Sequence, residues 1–236
     1  MSDRVYPPER LDEAPGHRRS RDLALASYAA MDLSSRTMGS IRSIRQFIRG
    51  ELDNLPQRRP LRVLDLGAGT CDIAEAIARW AREAGHPIQF TCVDLNAHAI
   101  QLARNRLAAQ PDLMIDARCE SIEKHRPQRP YDCAFGSLFF HHYTNYQIVQ
   151  LIKHLRAIVR NSLFINDLRR SSPAFMGLLP VGPFLPAGVW HDAMMSIRRG
   201  FRPDTLGALL RRLPRVSVKT QHEMFFRVTA EVSFLA

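Results

Sequence analysis

Four cysteines are scattered along the chain, at 71, 92, 119 and 133, and no two stand in a C-x-x-C spacing. That spacing excludes a zinc knuckle, a dithiol redox motif and a disulfide-stapled scaffold, and it leaves free thiols in a reducing cytoplasm as the expectation. The histidines also lack metal-ligand spacing, so no metal site is expected. Lysine is scarce: it occurs only at 124, 153 and 219, so arginine supplies nearly all of the 33 basic residues. The opening stretch MSDRVYPPERLDEAPGHRRSRD has no apolar core, and the later LALASYAAM is short and interrupted by Ser and Tyr, so no signal peptide is expected. The longest uncharged run, PAFMGLLPVGPFLPAGVW (173–190), carries four prolines and three glycines. Those residues bar a regular spanning helix and suggest an apolar loop or lid. Internal repeats and low-complexity tracts are missing.

What is present fits one α/β domain with an extra element: 236 residues, 45% of them apolar, are enough to build a real core. The net charge of +10 is uneven. Residues 61–150 carry 9 Lys+Arg against 10 Asp+Glu, whereas residues 151–236 carry 13 against 5. A clustered basic surface meets nucleic acid, anionic lipid or an acidic partner; scattered Arg is the plainer explanation.

Residues 1–20 are polar and rich in proline and charge; 21–54 read as two helices, the second with Ile41, Ile44, Phe47, Ile48 and Leu52 on one stripe. After Pro60 the pattern changes. RVLDLG is a short apolar strand, followed by a helix over 71–84 that Thr70 can cap. IQFTCVD is a second strand, 97–109 a second helix, LMIDARC a weak third strand, and YDCAFGSLFF a fourth. Ile148, Leu151, Ile152, Leu155 and Ile158 mark the next helix, and SLFIND a fifth strand. Alternating strands and helices imply crossover units and a parallel sheet covered on both faces. The end breaks the rhythm: a helix over 204–212 precedes two adjacent β-rich runs, RVSVKTQ and EMFFRVTAEVSFL, which would make one sheet edge antiparallel.

VLDLGAGTCD (63–72) lies where such a sheet binds its ligand, beyond the carboxyl end of a strand. A dinucleotide fingerprint wants a glycine three residues after Gly69; Asp72 stands there, and a carboxylate repels a diphosphate. The loop therefore suits a cofactor without phosphates. Asp65, Gly67, Gly69, the acidic end of CVDLN at Asp94, and YDCAFGSLFFHH together resemble the class I S-adenosylmethionine-dependent methyltransferases over about 61–168. The resemblance implies an α/β, Rossmann-like, mostly parallel seven-stranded sheet with an antiparallel edge strand, plus N-terminal helices. It divides the chain into a tail and helical cap (1–60) and a methyltransferase domain (61–236), with 173–202 as a substrate lid. It implies S-adenosyl-L-methionine as cofactor, lined by Asp65, Gly67, Ala68, Gly69, Asp94, Leu95, Glu120, Ser121 and Ser137. Cys71 takes the place of the third glycine of the family's G-x-G-x-G; its side chain either tucks against the helix or narrows the methionine end.

SLFFHHY replaces the N-P-P-Y element of methyltransferases that act on amide or nucleobase nitrogens. The closer likeness is to ubiquinone/menaquinone-biosynthesis-type small-molecule methyltransferases. The expected reaction is methyl transfer to a hydroxyl, or an activated carbon, of a lipophilic, aromatic or polyketide-like small molecule in the cytoplasm. His142 or His191 is the candidate base, with Asp192 beside His191; His141, Asp167, Phe184, Trp190 and Arg198 are candidates for holding substrate. Peripheral contact with an anionic membrane is a further expectation from the arginines flanking the lid. The alternatives are an RNA methyltransferase using the basic last third, and a protein that binds the cofactor without turnover.

Overall fold

The computed structural model describes residues 39–55, 59–170, 187–223 and 227–235. The first expected N-terminal helix and most of the apolar lid segment, including Phe184, lie outside these residues.

Helix α1 (Ser40–Asp53) turns Ser40, Ile44, Phe47 and Ile48 inward, a stripe at helical spacing. Seven strands follow: β1 (Leu61–Leu66), β2 (Ile88–Asp94), β3 (Ile115–Cys119), β4 (Tyr131–Ser137), β5 (Val159–Leu168), β6 (Val216–Glu223) and β7 (Arg227–Phe234). Helices α2 (Asp72–Glu83), α3 (Ala97–Leu107) and α4 (Asn145–Ile158) cross over between parallel strands; α5 (Ala187–Arg199) and α6 (Pro203–Leu210) come after β5. The sheet order is β3-β2-β1-β4-β5-β7-β6, with β7 antiparallel to both β5 and β6. The first five strands are parallel, so the order reverses between β1 and β4 and opens a crevice at their C-terminal ends.

β1 and β4 are buried on both faces because helices cover each side. One apolar cluster joins α4 and α6 to the sheet; the other joins α1, α2 and α3. Arg59 makes a two-point contact with the buried Asp132 at 2.6 and 2.7 Å, which fastens the chain ahead of β1 to the start of β4. Phe201 N–H donates to Leu168 and Arg170 N–H donates to Phe201, so the chain leaving α5 is pinned at the C-terminal end of β5.

Two local expectations need correction. Thr70 does not cap α2: the helix begins one residue later, behind Cys71 in a left-handed conformation, and the Thr70 hydroxyl donates to the Asp72 side chain instead. The second crossover helix stops at Leu107 rather than 109, and its cap is Asn96, whose side chain accepts from His98 N and Ala99 N. Among the described residues all four cysteines are free, and no helix is long and apolar enough to cross a membrane.

Candidate active site

Gly67, Gly69 and Cys71 all have positive φ, at 64°, 52° and 62°. Glycine accepts that conformation freely, whereas a side chain there costs roughly 1–2 kcal/mol. Gly67 N and Ala68 N donate to Val93 O at 2.9 and 3.2 Å, so the loop hangs from β2 as well as from β1. Asp94 then bridges the loop to α3, accepting from Gly69 N and Asn96 N at 2.8 Å each. Burial raises the Asp94 carboxyl, against the pull of these N–H groups and of nearby His142. Asp65 is fully enclosed beneath the loop, and burial together with the charge of Asp94 holds its carboxyl well above the usual range.

Cys71 is wholly buried and its thiol meets that of Cys92 on β2, which, with burial, pushes the Cys92 thiol up. The side chain therefore tucks into the core under α2, the first of the two sequence alternatives. Asp72 is also occupied: Arg106 of α3 pairs with it at 2.8 Å, with Glu75 at 2.7 Å, and donates to Thr70 O at 2.6 Å. Sequence reading missed this clamp, because thirty-odd residues separate its partners and only the packing of α3 beside α2 joins them.

At the end of β3, Glu120 N donates to Asp94 O, which brings the two acidic residues side by side. The Glu120 carboxylate accepts from His125 Nδ1 at 2.9 Å, and His125 Nε2 meets Tyr131 OH at 2.8 Å in the interior. Ser121 bonds Glu123, which also accepts from Tyr143 OH at 3.0 Å. Leu95, beyond Asp94, is 70% exposed, an apolar surface without a protein neighbour to cover it.

At the end of β4, Leu138 (φ 55°) turns the chain sharply and Phe139 folds back across the loop. A Cβ on Gly67 would lie 2.3 Å from the Phe139 ring, so this glycine leaves room for an aromatic wall. A 3-10 turn over Phe140–His142 follows. Here His141 and Asp167, at the ends of β4 and β5, come together: Nδ1 lies 2.7 Å from Asp167 Oδ1, and His141 N donates to Oδ2 at 3.1 Å. Both side chains are buried. Burial alone would raise the Asp167 carboxyl; the contact with His141 and the Leu168 N–H outweigh it and keep it below the ordinary range. Arg227 lies buried behind Asp167, pushed down to about 10 by burial while the carboxylate pulls the other way.

His142 is exposed, with its ring 4.2 Å from that of His141. The helix α5 packs against the 3-10 turn and carries a half-buried Trp190, an exposed His191 and an exposed Arg198; of Asp192 only the helical backbone is described. Asp65, Asp94, Ser137, His141 and Asp167 thus stand at or just beyond the C-terminal ends of β1, β2, β4 and β5, whereas Glu120 and Ser121, after β3, are engaged by protein partners. Ser137 Oγ and the side-chain amide of Asn166 are buried there with no hydrogen-bond partner, polar groups that suit a polar ligand. No cluster of His, Cys, Asp and Glu among the described residues could hold a metal.

This sheet order, with a glycine loop at its switch point and a carboxylate closing the second strand, is that of the Rossmann-like methyltransferase fold. Residues 63–162 match the family model described as a methyltransferase domain, so that stretch carries such a domain. A non-reducing polyketide synthase of Stereocaulon alpinum is 26% identical over 122 residues, covering 50% of this chain but only 5% of that protein. Among solved structures, the plantazolicin methyltransferase BpumL, in complex with a desmethyl-plantazolicin analogue and S-adenosylhomocysteine (SAH), superposes with TM-score 0.68 at 16% identity, covering 92% of this chain and 95% of that one. The citrinin polyketide synthase CMeT domain gives 0.67 at 17% identity, covering 97% and 60%. Magnesium protoporphyrin IX methyltransferase from Synechocystis PCC 6803, with bound SAH, gives 0.61 at 12% identity, covering 95% and 91%.

Proposed function

We propose that the chain methylates a hydroxyl or an activated carbon of a lipophilic, aromatic or polyketide-like small molecule, using His141 as the base. The observation that carries this reading is the buried His141–Asp167 pair at the C-terminal ends of β4 and β5, the end of the sheet that carries the glycine loop. The cofactor residues fit S-adenosylmethionine: Gly67, Ala68 and Gly69 offer backbone, Asp94 suits the ribose hydroxyls, and Leu95 with Glu120 and Ser121 suits the adenine side. The bound cofactor supplies an electrophilic methyl group.

Asp167, held as a carboxylate, can only accept, so His141 Nδ1 carries the proton between them and the ring is held in one orientation. Nε2 takes the proton from the acceptor's O–H or C–H as the new bond forms, and Asp167 steadies the resulting imidazolium. Such a base contributes about 10²–10⁴-fold. His142 and His191, exposed at the same end of the sheet, are assigned to the acceptor's approach, with Asp192 on the same helix. Trp190 and Arg198 of α5 are assigned to the substrate, and the uncharged 173–190 sequence, Phe184 included, has the apolar composition that suits a lipophilic acceptor. Polyketide synthases among the relatives support an acceptor of this chemistry.

Incubation with labelled S-adenosylmethionine and a lipid-soluble extract, followed by mass analysis, should yield a methylated apolar product. His141→Gln and Asp167→Asn should lower kcat about 10²–10⁴-fold while leaving SAH affinity within a few-fold. Label appearing in RNA rather than in the extract would refute the acceptor class; full activity in both variants would refute the base.

A further inference from the structure

The acids of residues 151–236 keep to one part of the fold. Asp167 and Glu223 stand at the far ends of β5 and β6, the end of the sheet that carries the glycine loop. Asp192 lies on α5, which packs on the 3-10 turn there, and Asp204 opens α6 just past Phe201. Glu231 lies inside β7, opposite Lys219. The other end of the sheet, where β4 and β5 begin and β7 finishes, carries arginine: Arg156 near the close of α4, Arg160 on β5, and Arg212 and Arg215 on the turn into β6. Asp132 at this end is held by Arg59 at 2.6 Å, and Glu51 bonds Ser162 and Asn161.

Contacts join the arginines. Arg156 Nη1 donates to Pro214 O at 2.7 Å, and Leu235 N–H donates to Arg215 O at 2.9 Å. Ser162 pairs with Ser233, so two residues further out Arg160 stands opposite Leu235. Val216 pairs with Phe234, so Arg215 stands opposite Leu235 on its other side. Neighbouring strands are about 4.8 Å apart, which sets the Arg160 and Arg215 backbones about 10 Å apart with Leu235 between them. Leu235 is 51% exposed. With Pro130, Val159 and Phe234 it gives an apolar lining to an open recess of about 310 Å³, which Arg156 and Arg160 also line.

Residues i and i+7 of a helix are about 10 Å apart on one face, with i+4 between them. A helix with carboxylates at i and i+7 and an apolar side chain at i+4 therefore matches the two arginines and the recess. The planar guanidinium fork suits a carboxylate. An apolar recess offers nothing to a phosphate backbone, and it receives a side chain where a bilayer would want a protruding one. We propose that this end of the sheet docks an acidic amphipathic helix of a partner protein, its carboxylates pairing with Arg160 and Arg215 and its apolar side chain seated in the recess at Leu235. The surface lies at the far end of the sheet from the glycine loop and is independent of the proposed acceptor.

Fluorescence anisotropy on the full chain tests this with a labelled alanine-based helical peptide carrying Glu at i and i+7 and Leu at i+4. The peptide should bind, and bind less well as salt is raised, because exposed charge pairs are screened. Exchanging both Glu for Gln in the peptide should weaken binding about tenfold, as should Arg160→Glu or Arg215→Glu in the chain, with the melting temperature of each variant unchanged. If a reversed-charge variant does not fold, Arg160→Gln and Arg215→Gln carry the same comparison. A native chain that does not bind the peptide, or that binds its Glu and Gln forms equally, overturns the docking surface. Full binding by both arginine variants overturns it too. Phosphatidylserine vesicles or single-stranded RNA that bind through these arginines while the peptide does not would overturn the protein partner.

Discussion

Adding one methyl group at Gly67 tests how the loop and the aromatic wall are coupled. The new Cβ would sit 2.3 Å from Phe139 Cδ2, and the residue would keep φ at 64°. Two costs then combine: roughly 1–2 kcal/mol for a side chain in the left-handed region, and about 1–3 kcal/mol for overpacking against a ring fixed by its neighbours. Phe139 has little room to give, because its ring contacts Phe140 at 5.2 Å and Tyr143 at 5.1 Å. Gly67→Ala should therefore lower the unfolding free energy by about 2–5 kcal/mol, read from urea unfolding at constant m. In a Phe139→Ala background the clash disappears and only the backbone strain remains, so the same substitution should cost about 1–2 kcal/mol. The double-mutant cycle should thus show a coupling of about 1–3 kcal/mol. Additivity to within about 0.5 kcal/mol would refute the packing of Phe139 on the loop.

Asp65→Asn should stabilise the free protein and remove the thermal shift produced by SAH. Burial raises the native Asp65 carboxyl, so its contribution is complete below the unfolded value of about 3.9 and is lost as pH rises through the native one; the gap between variant and native chain should widen with pH, and a flat gap would count against the buried acid. Cys71→Gly should be more stable than Cys71→Ala, since glycine also relieves about 1–2 kcal/mol of left-handed strain that alanine retains; the reverse order in denaturant titrations would refute that. Arg106→Met should speed amide exchange across 67–72 and weaken SAH binding, because Thr70 O, Asp72 and Glu75 lose their common partner; exchange unchanged in that stretch would show that the clamp is dispensable.

The succession of strands and helices was legible because apolar spacing switches between periods near two and near 3.6 wherever the chain changes element. The glycine loop and Asp94 were legible because backbone conformation and strand ends impose their residues locally. Relations across the sheet were not. His141 and Asp167 each drew attention singly, yet their pairing depends on β4 lying beside β5, a neighbour relation that spacing along the chain does not encode. Asn166 gave no signal, since an asparagine near a strand end is ordinary until its burial is known. Thr70 misled for the opposite reason: a good capping residue was displaced by the left-handed turn at Cys71, which moved the helix start by one position.

Asp94 accepts one N–H from the glycine loop and another from the start of the next helix, so the carboxylate proposed for the ribose also shapes the loop. In the proposed site neither end can drift on its own: a change at Asp94 that retuned sugar recognition would reshape the glycine loop in the same step. In the proposed function the freedom to diversify is left to the substrate side, where α5 packs on the 3-10 turn that carries the histidines and on β5. Under the proposed function, a scaffold arranged this way would change its acceptor while keeping the loop that faces the methyl donor.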